Sequence, residues 1–466
     1  MNKRPGIDTD IPTFFRLAKL NIPFDDRDRC IQLLRDLEMV RRTALSPERT
    51  IDDGGAFQEG GHVAPRRVVA DLRLNLLVGF GLRFFLGALE QRGDEEVIPN
   101  FPPGGVFKRR LPTRFGIGEP VPRYLRRMNA AGDREWIAKR MGRDLKTLLP
   151  ADTKVDAALT SWLSKSESDL FLYLESNNEF LVMDLWEQIY TGVVAPYGLQ
   201  LVALHASMNR GDGRDHTGWF DGVSNLQDMM ERDPERYRQH IYLPHPAPAF
   251  PGESVLERDP PAYDGGTYLV HRKYAQNLER WHSKDFTRRE ADGVTYTGEH
   301  ARIMAIGRDR ETGRVVHRRT GALLDHEYDS AETMLAPMRS HILKARGGSP
   351  APFVGPFPPL KPGETHVFHI QDIRIRRRGG NFVDTDTTTG KSTHGLHFIC
   401  FQNNIQQTGF EFINNVWLLN PAFRGGTDPL FDIEKGIVEP LEGCYYFVPP
   451  EHRDFPGDVF FAKEGP

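Results

Sequence analysis

Apolar residues recur at the spacing of a helix near the start of the chain. In residues 25–46, four apolar positions follow an acidic start, namely Ile31, Leu34, Leu37 and Val40. Steps of three or four residues place side chains on one face of a helix. The sequence therefore predicts a helix here, and further helices over residues 179–191 and near residues 274–281.

Shorter apolar runs, several of them alternating with polar residues, are typical of strands. They cover residues 69–80, 168–174, 266–272, 366–378, 395–402 and 444–449. Strands interleaved with helices in two halves of similar size indicate an α+β fold.

Three stretches rich in proline and glycine interrupt these elements, at residues 98–122, 244–266 and 349–363. Proline removes a backbone donor, so such stretches favour loops or linkers over helices and sheet ladders. The middle stretch is the best candidate for a boundary between two halves.

Composition excludes several classes of protein. The 466 residues are 39% hydrophobic and 27% charged with a net charge of −4, which disfavours a disordered chain and a dedicated nucleic-acid binder. Three distant cysteines favour neither a disulfide framework nor a zinc ribbon. The longest predominantly apolar run, residues 74–82, has nine residues including Asn75, too few for a transmembrane helix. Without a recognisable signal peptide, we expect a soluble cytoplasmic protein.

Residues 211–225 form the densest group of candidate functional residues. The core of this loop is Gly218-Trp-Phe-Asp221-Gly222, an acid between glycines that permit unusual backbone angles or close approach to a ligand. On the motif alone, an ordinary turn is the favoured interpretation and a functional acid the alternative.

The predicted strand 366–378 carries several arginines. Side chains alternate across a strand, which assigns Arg377 to the apolar side with two isoleucines. The other side carries Asp372, Arg374, Arg376 and Arg378, and we expect it to be a solvated charged face. A buried guanidinium stays charged and needs an anionic partner or ligand. Structural pairing is the commoner cause for Arg377, and ligand binding the alternative.

His341 is a lone histidine among apolar and basic neighbours, so a structural role is favoured over metal ligation. The pairs His366/His369 and His394/His397 alternate faces on strands and do not make a two-histidine metal site. The sequence contains no phosphate-binding loop, nucleophile elbow or dinucleotide fingerprint.

In order along the chain, several segments resemble the dye-decolourising peroxidases, a family of haem proteins. They are Gly218–Gly222, Gly265–Arg272 with Leu278 and Trp281, Ile306–Gly313, Ser340–Ile342, Arg374–Gly379, Gly395–Phe398, Gly409–Phe412, Trp417 and Tyr445–Pro449. The resemblance is dense over residues 205–455, diffuse over 65–200 and absent from 1–60.

The resemblance implies two ferredoxin-like domains of the dimeric α/β-barrel type, each an antiparallel sheet with helices, and haem b in the C-terminal half. We expect a helical extension at residues 1–60, an N-terminal domain at 61–245 carrying the glycine-rich loop, and a haem-binding domain at 246–466.

The resemblance also assigns roles to individual residues. Asp221 is expected to be the distal acid and base, Arg377 the distal charge stabiliser, and His341 the axial ligand of the haem iron. Four further residues are expected to contact the cofactor or its ligand: Gly222, Leu396, Phe398 and Glu411, the last by a hydrogen bond to His341. Two positions depart from the family pattern: Arg346, where asparagine is common, and Leu226, where proline is frequent.

The function implied is reduction of hydrogen peroxide with oxidation of organic reductants such as dyes or phenols, in a protein that can form a homo-oligomer. A non-catalytic haem carrier on the same fold is the main alternative, and a cofactor-free protein that binds an anion through Arg377 is a second. For Trp219, Trp281 and Trp417, core packing is favoured over electron relay.

Overall fold

A computed structural model describes the elements that these patterns form. It describes residues 4, 7–8, 12–45, 73–88, 114–116, 166–220, 226–244, 261–289, 293–317, 320–324, 337, 339–345, 353–355, 366–368, 373–405, 408–419, 426–431 and 436–461.

The described part of the chain contains thirteen strands. They are β1 Phe14–Asn21, β2 Leu74–Gly81, β3 Leu170–Ser176, β4 Gln200–Met208, β5 Thr267–Gln276, β6 Thr287–Arg289, β7 Thr295–Thr297, β8 Phe353–Gly355, β9 His366–Phe368, β10 Arg376–Arg377, β11 Gly380–Thr385, β12 Ser392–Gln402 and β13 Val438–Val448.

Helices lie between these strands. They are α1 Arg27–Leu45, α2 Leu82–Leu86, α3 Glu179–Ile189, α4 Gln227–Arg232, α5 Pro234–Ile241, α6 Leu278–His282, α7 Gly298–Ile306 and α8 His341–Ala345. A π-helical turn, Tyr190–Val194, and a short turn, Ala195–Tyr197, continue α3, and a second π-helix covers Phe412–Leu418. No described helix combines the length and apolar character needed to cross a bilayer.

Eight strands close into a ring of antiparallel pairs. The sheet order is β12-β11-β4-β1-β3-β2-β13-β5, and β5 pairs again with β12. The N-terminal half supplies β4-β1-β3-β2 and the C-terminal half β13-β5-β12-β11. The four ring strands of each half can be numbered by their order along the chain, as β1–β4 in the first half and β5, β11, β12 and β13 in the second. In both halves they then lie in the spatial order fourth, first, third, second. The backbone ladder between β4 and β11 is limited to the register pair Asn381 and Met208.

Contacts that cross the ring show which face of the sheet lies inside. Lys19 on β1 forms an ion pair of 2.8 Å with Glu442 on β13, although β3 and β2 separate these strands. The inner cluster contains Phe15, Phe171, Leu269, Phe401 and Tyr446, and residues of α4 and α5 pack against it. The opposite face of the sheet carries α1 and α3.

Local sequence explains the two long helices on the outer face. The Asp26 side chain accepts a hydrogen bond from the backbone N–H of Arg29 at 2.6 Å, and Asn178 likewise accepts one from Phe180 at 2.9 Å at the start of α3. Leu33, Leu34 and Leu37 of α1 are buried against the sheet. The predicted helices over 25–46 and 179–191 are therefore confirmed with small shifts of their ends.

Several predicted elements are corrected. Residues 1–60 are not only helical, because β1 lies between β3 and β4 in the sheet. Residues 274–276 continue strand β5, so helix α6 is shorter than the helix predicted near 274–281. In the predicted strand 366–378, strands cover only residues 366–368 and 376–377, and 369–372 lie outside the described residues. The predicted strand 69–80 is observed as Leu74–Gly81, with residues 69–72 outside the described part.

Candidate functional site

His341 is the first residue of α8, and a buried carboxylate holds its ring. Nδ1 of His341 lies 2.8 Å from Oδ2 of Asp428, whose side chain is fully buried. The other oxygen of Asp428 accepts a hydrogen bond from the backbone N–H of Leu430 at 2.8 Å. A carboxylate on Nδ1 leaves Nε2 to carry a lone pair, which is the arrangement of a metal-ligating histidine.

The sequence assigned this supporting role to Glu411, and the structure corrects that prediction. Glu411 lies at the start of the second π-helix and accepts a hydrogen bond from the Tyr445 hydroxyl. Asp428 was missed because it follows His341 by 87 residues. No local pattern in Gly426-Thr-Asp428-Pro marks this carboxylate as a histidine partner.

Arg377 shares a sheet face with Leu396 and Phe398. On paired strands Arg377 is the register partner of Cys400, and partners in an antiparallel pair project to the same side. Leu396 and Phe398 lie at even steps from Cys400 along β12, so they belong to this side too. Strand parity therefore predicted the side of Arg377 correctly.

Two other arginines of this segment are not solvated as predicted. Arg376 and Arg378 are almost completely buried, because their side of the strand faces the interior of the ring. Nη2 of Arg378 lies 2.6 Å from Oε2 of Glu175, and Nε of Arg376 donates to the carbonyl of Ile7 at 3.3 Å. Burial alone would lower the pKa of Arg378, but the adjacent Glu175 carboxylate raises it above the usual value.

A series of ring contacts connects His341 to the face that carries Arg377. The His341 ring stacks on Phe431 with centroids 6.2 Å apart. Phe431 meets Tyr274 at 5.7 Å, and Tyr274 meets Phe398 at 6.3 Å. The histidine and the sheet face are thus two sides of one aromatic-lined region.

Asp221 and Gly222 lie outside the described residues, but the loop that leads to them is described up to Phe220. Trp219 is buried, and its Nε1 donates to the carbonyl of Arg308 at 3.2 Å. Its ring meets that of Trp281 edge-on at 5.2 Å. Both tryptophans belong to the hydrophobic cluster that also holds Ile342, the residue after His341. The predicted acid therefore follows a segment that belongs to the same hydrophobic cluster as the histidine's neighbour.

The residues present fit a haem. His341 supplies a nitrogen donor, its side chain is 28% exposed, and Asp428 maintains its orientation. Leu396, Phe398 and Arg377 are only partly buried, although β12 is flanked by strands on both sides. Apolar side chains left accessible within a sheet are typical of a surface that a ligand covers. A carboxylate-supported histidine beside an aromatic wall and a guanidinium is the donor set of a haem-iron site.

Comparison with known proteins names the family. The model of the C-terminal part of Dyp-type peroxidases matches residues 212–453, more than half of the chain. The chain therefore belongs to the Dyp-type peroxidases and is a haem peroxidase.

Solved structures support the same fold. Ferric DtpA from Streptomyces lividans is 16% identical over 99% of this chain and 96% of its own, with a TM-score of 0.56. The DyP-type peroxidase from Cellulomonas bogoriensis is 17% identical over 100% and 97%, with a TM-score of 0.54. A DyP-type peroxidase from Streptomyces coelicolor is 16% identical over 99% and 95%, with a TM-score of 0.55. No curated protein matches the sequence.

Proposed function

We propose that this peroxidase uses haem b to reduce hydrogen peroxide and oxidises organic reductants such as dyes or phenols. The observation that carries the proposal is the His341–Asp428 pair beside the partly open sheet face of Arg377, Leu396 and Phe398. We propose that Nε2 of His341 would coordinate the haem iron, and that Leu396, Phe398 and Gly222 would line the cofactor. Glu411 accepts a hydrogen bond from Tyr445 rather than from His341.

The proposed architecture is two ferredoxin-like domains. The fourth-first-third-second strand order in each half supports it. The boundaries 61–245 and 246–466 stay predictions, as do self-association and a cytoplasmic location.

The cofactor supplies the redox chemistry when bound, and the protein supplies proton transfer and charge stabilisation. Asp221 accepts a proton from one peroxide oxygen and returns it to the leaving oxygen, acting first as base and then as acid. The guanidinium of Arg377 stabilises the negative charge that develops on the leaving oxygen. Asp428 accepts the Nδ1 proton of His341 and so keeps the ring oriented and electron-rich.

The three candidate functions differ in the absorption spectrum of the purified protein. A peroxidase has a haem Soret band that changes when hydrogen peroxide is added. A haem carrier has a band that does not react, and a cofactor-free anion binder has none. Replacement H341A is expected to abolish the Soret band, and its persistence would contradict ligation by His341.

Replacements at the distal residues test their roles in the peroxide reaction. We expect D221N to slow this reaction by about 10²–10⁴-fold and R377L by about 10²–10³-fold, with haem still bound. The matched control is D212N, because Asp212 lies in the same loop and is exposed. Aspartate has an ordinary pKa of about 3.9, so we expect activity to persist below pH 6. A collapse of activity below that pH would refute an aspartate base.

A further inference from the structure

Tyr445 is a fully buried tyrosine whose hydroxyl lies between a guanidinium and a carboxylate. Nη2 of Arg272 donates to its oxygen at 2.7 Å, and the hydroxyl donates to Oε1 of Glu411. A guanidinium has only donors and a carboxylate has only acceptors. The phenolic proton therefore points to Glu411.

This group belongs to the same sheet face as the proposed haem site. Tyr445 on β13 is the register partner of Val270 on β5, and Val270 is the register partner of Cys400 on β12. Cys400 is also the register partner of Arg377, and register partners in antiparallel pairs project to the same side. Aromatic contacts also connect it to His341. The Tyr445 ring lies 6.5 Å from Phe410, and Phe410 lies 5.7 Å from Phe398. From Phe398 the contacts through Tyr274 and Phe431 already described lead to the histidine.

Proton transfer controls whether a buried tyrosine can lose an electron. Loss of an electron alone would place a second positive charge beside Arg272, at a site with little water to solvate it. If the Oη–H bond breaks at the same time, the proton moves to Glu411. The products are a neutral tyrosyl radical and a neutral carboxylic acid. Arg272 continues to donate its hydrogen bond to the radical oxygen.

Resting on the proposed function, we propose that Tyr445 is a redox-active residue that gives one electron to the peroxide-oxidised haem and its phenolic proton to Glu411. The tyrosyl radical then holds one of the two oxidising equivalents that hydrogen peroxide delivers. An organic reductant restores Tyr445 by supplying one electron, and Glu411 returns the proton.

Tyr446 offers a matched control. It is the next residue in β13 and is also fully buried, but it projects to the interior of the ring. Its hydroxyl bonds the Ser168 hydroxyl at 2.9 Å and donates to the carbonyl of Ser166 at 3.4 Å. Replacement Y446F therefore removes a buried phenol that bonds a hydroxyl and a carbonyl instead of a carboxylate.

The test is electron paramagnetic resonance of the haem-loaded full chain, frozen shortly after mixing with hydrogen peroxide. Ring-deuterated tyrosine identifies a tyrosyl radical, because deuteration narrows its hyperfine pattern. We expect a deuterium-sensitive signal in the wild type and in Y446F, and its loss in Y445F. In E411Q, which keeps the phenol but lacks the proton acceptor, we also expect the signal to be lost. Soret and circular dichroism spectra of each variant report haem loading and folding.

The outcomes separate this inference from the proposed function. If the Soret band of the wild type does not respond to peroxide, the proposed function fails and Tyr445 has no oxidant. If the band responds but the radical signal is the same in Y445F as in the wild type, only the inference about Tyr445 is wrong. An undiminished signal in E411Q would refute the role of Glu411 as proton acceptor.

Discussion

Two buried histidines inside the strand ring are expected to make the fold sensitive to acid. Nε2 of His271 and Nδ1 of His397 lie 3.1 Å apart, and both residues are fully buried. Burial lowers the pKa of each well below the usual value, and nearby positive groups lower it further. The ionisable groups that face the pair are Lys19 on β1, His205 on β4, Lys273 on β5 and Glu442 on β13. Phe171 of β3 and Phe382 of β11 cover the rings.

The size of this pH dependence of the free energy of unfolding follows from the number of protons that the chain takes up when it unfolds. An unfolded histidine titrates near pH 6.5, whereas the folded pair stays neutral to a much lower pH. Well below pH 6.5, where both unfolded histidines are protonated, the unfolded chain therefore binds about two more protons, and the free energy of unfolding falls by about 3 kcal/mol per pH unit. The contribution is fully present above pH 6.5 and is lost as the pH falls through the folded pKa values.

Urea unfolding of the haem-loaded chain between pH 7 and 5 measures this slope. In the double variant H271F/H397F we expect the slope near pH 5 to be smaller than that of the wild type by about 3 kcal/mol per pH unit. The control is H300Q, since His300 is exposed and its replacement should leave the slope unchanged. Parallel pH dependences for the wild type and the double variant would refute the reasoning.

Two further predictions concern buried charges. Replacement R378M leaves the Glu175 carboxylate buried without its 2.6 Å partner, so we expect the free energy of unfolding to fall by about 3–5 kcal/mol. The control R210M removes an exposed ion pair, so we expect the free energy of unfolding to stay nearly unchanged; equal losses in urea unfolding would contradict the distinction. Replacement D428N removes the charge behind His341, so we expect haem to bind, its reduction potential to rise and peroxidase activity to fall about 10–100-fold. An unchanged potential in a spectroelectrochemical titration would argue against the Asp428 contact.

Local patterns predicted the elements whose folding depends on neighbouring residues. The apolar spacing in residues 25–46 predicted α1, observed as Arg27–Leu45. The apolar run at 395–402 predicted most of β12, and strand parity assigned Arg377 to the correct side of its strand. The order of the motifs indicated the family. Each of these inferences uses residues close in sequence, where helical or strand periodicity directly determines the side of a side chain.

Only the tertiary structure decided which distant residues meet. Closure of the ring places Arg376 and Arg378 inside it, whereas parity along one strand assigned them to solvent. The partner of His341 is Asp428, 87 residues away, and Glu411 instead accepts a hydrogen bond from the Tyr445 hydroxyl. Strand β1 likewise enters the sheet by pairing with β3 and β4, more than 140 residues further along. Such contacts depend on how strands from both halves pair, and pairing partners leave no signature in the local pattern of apolar and polar residues.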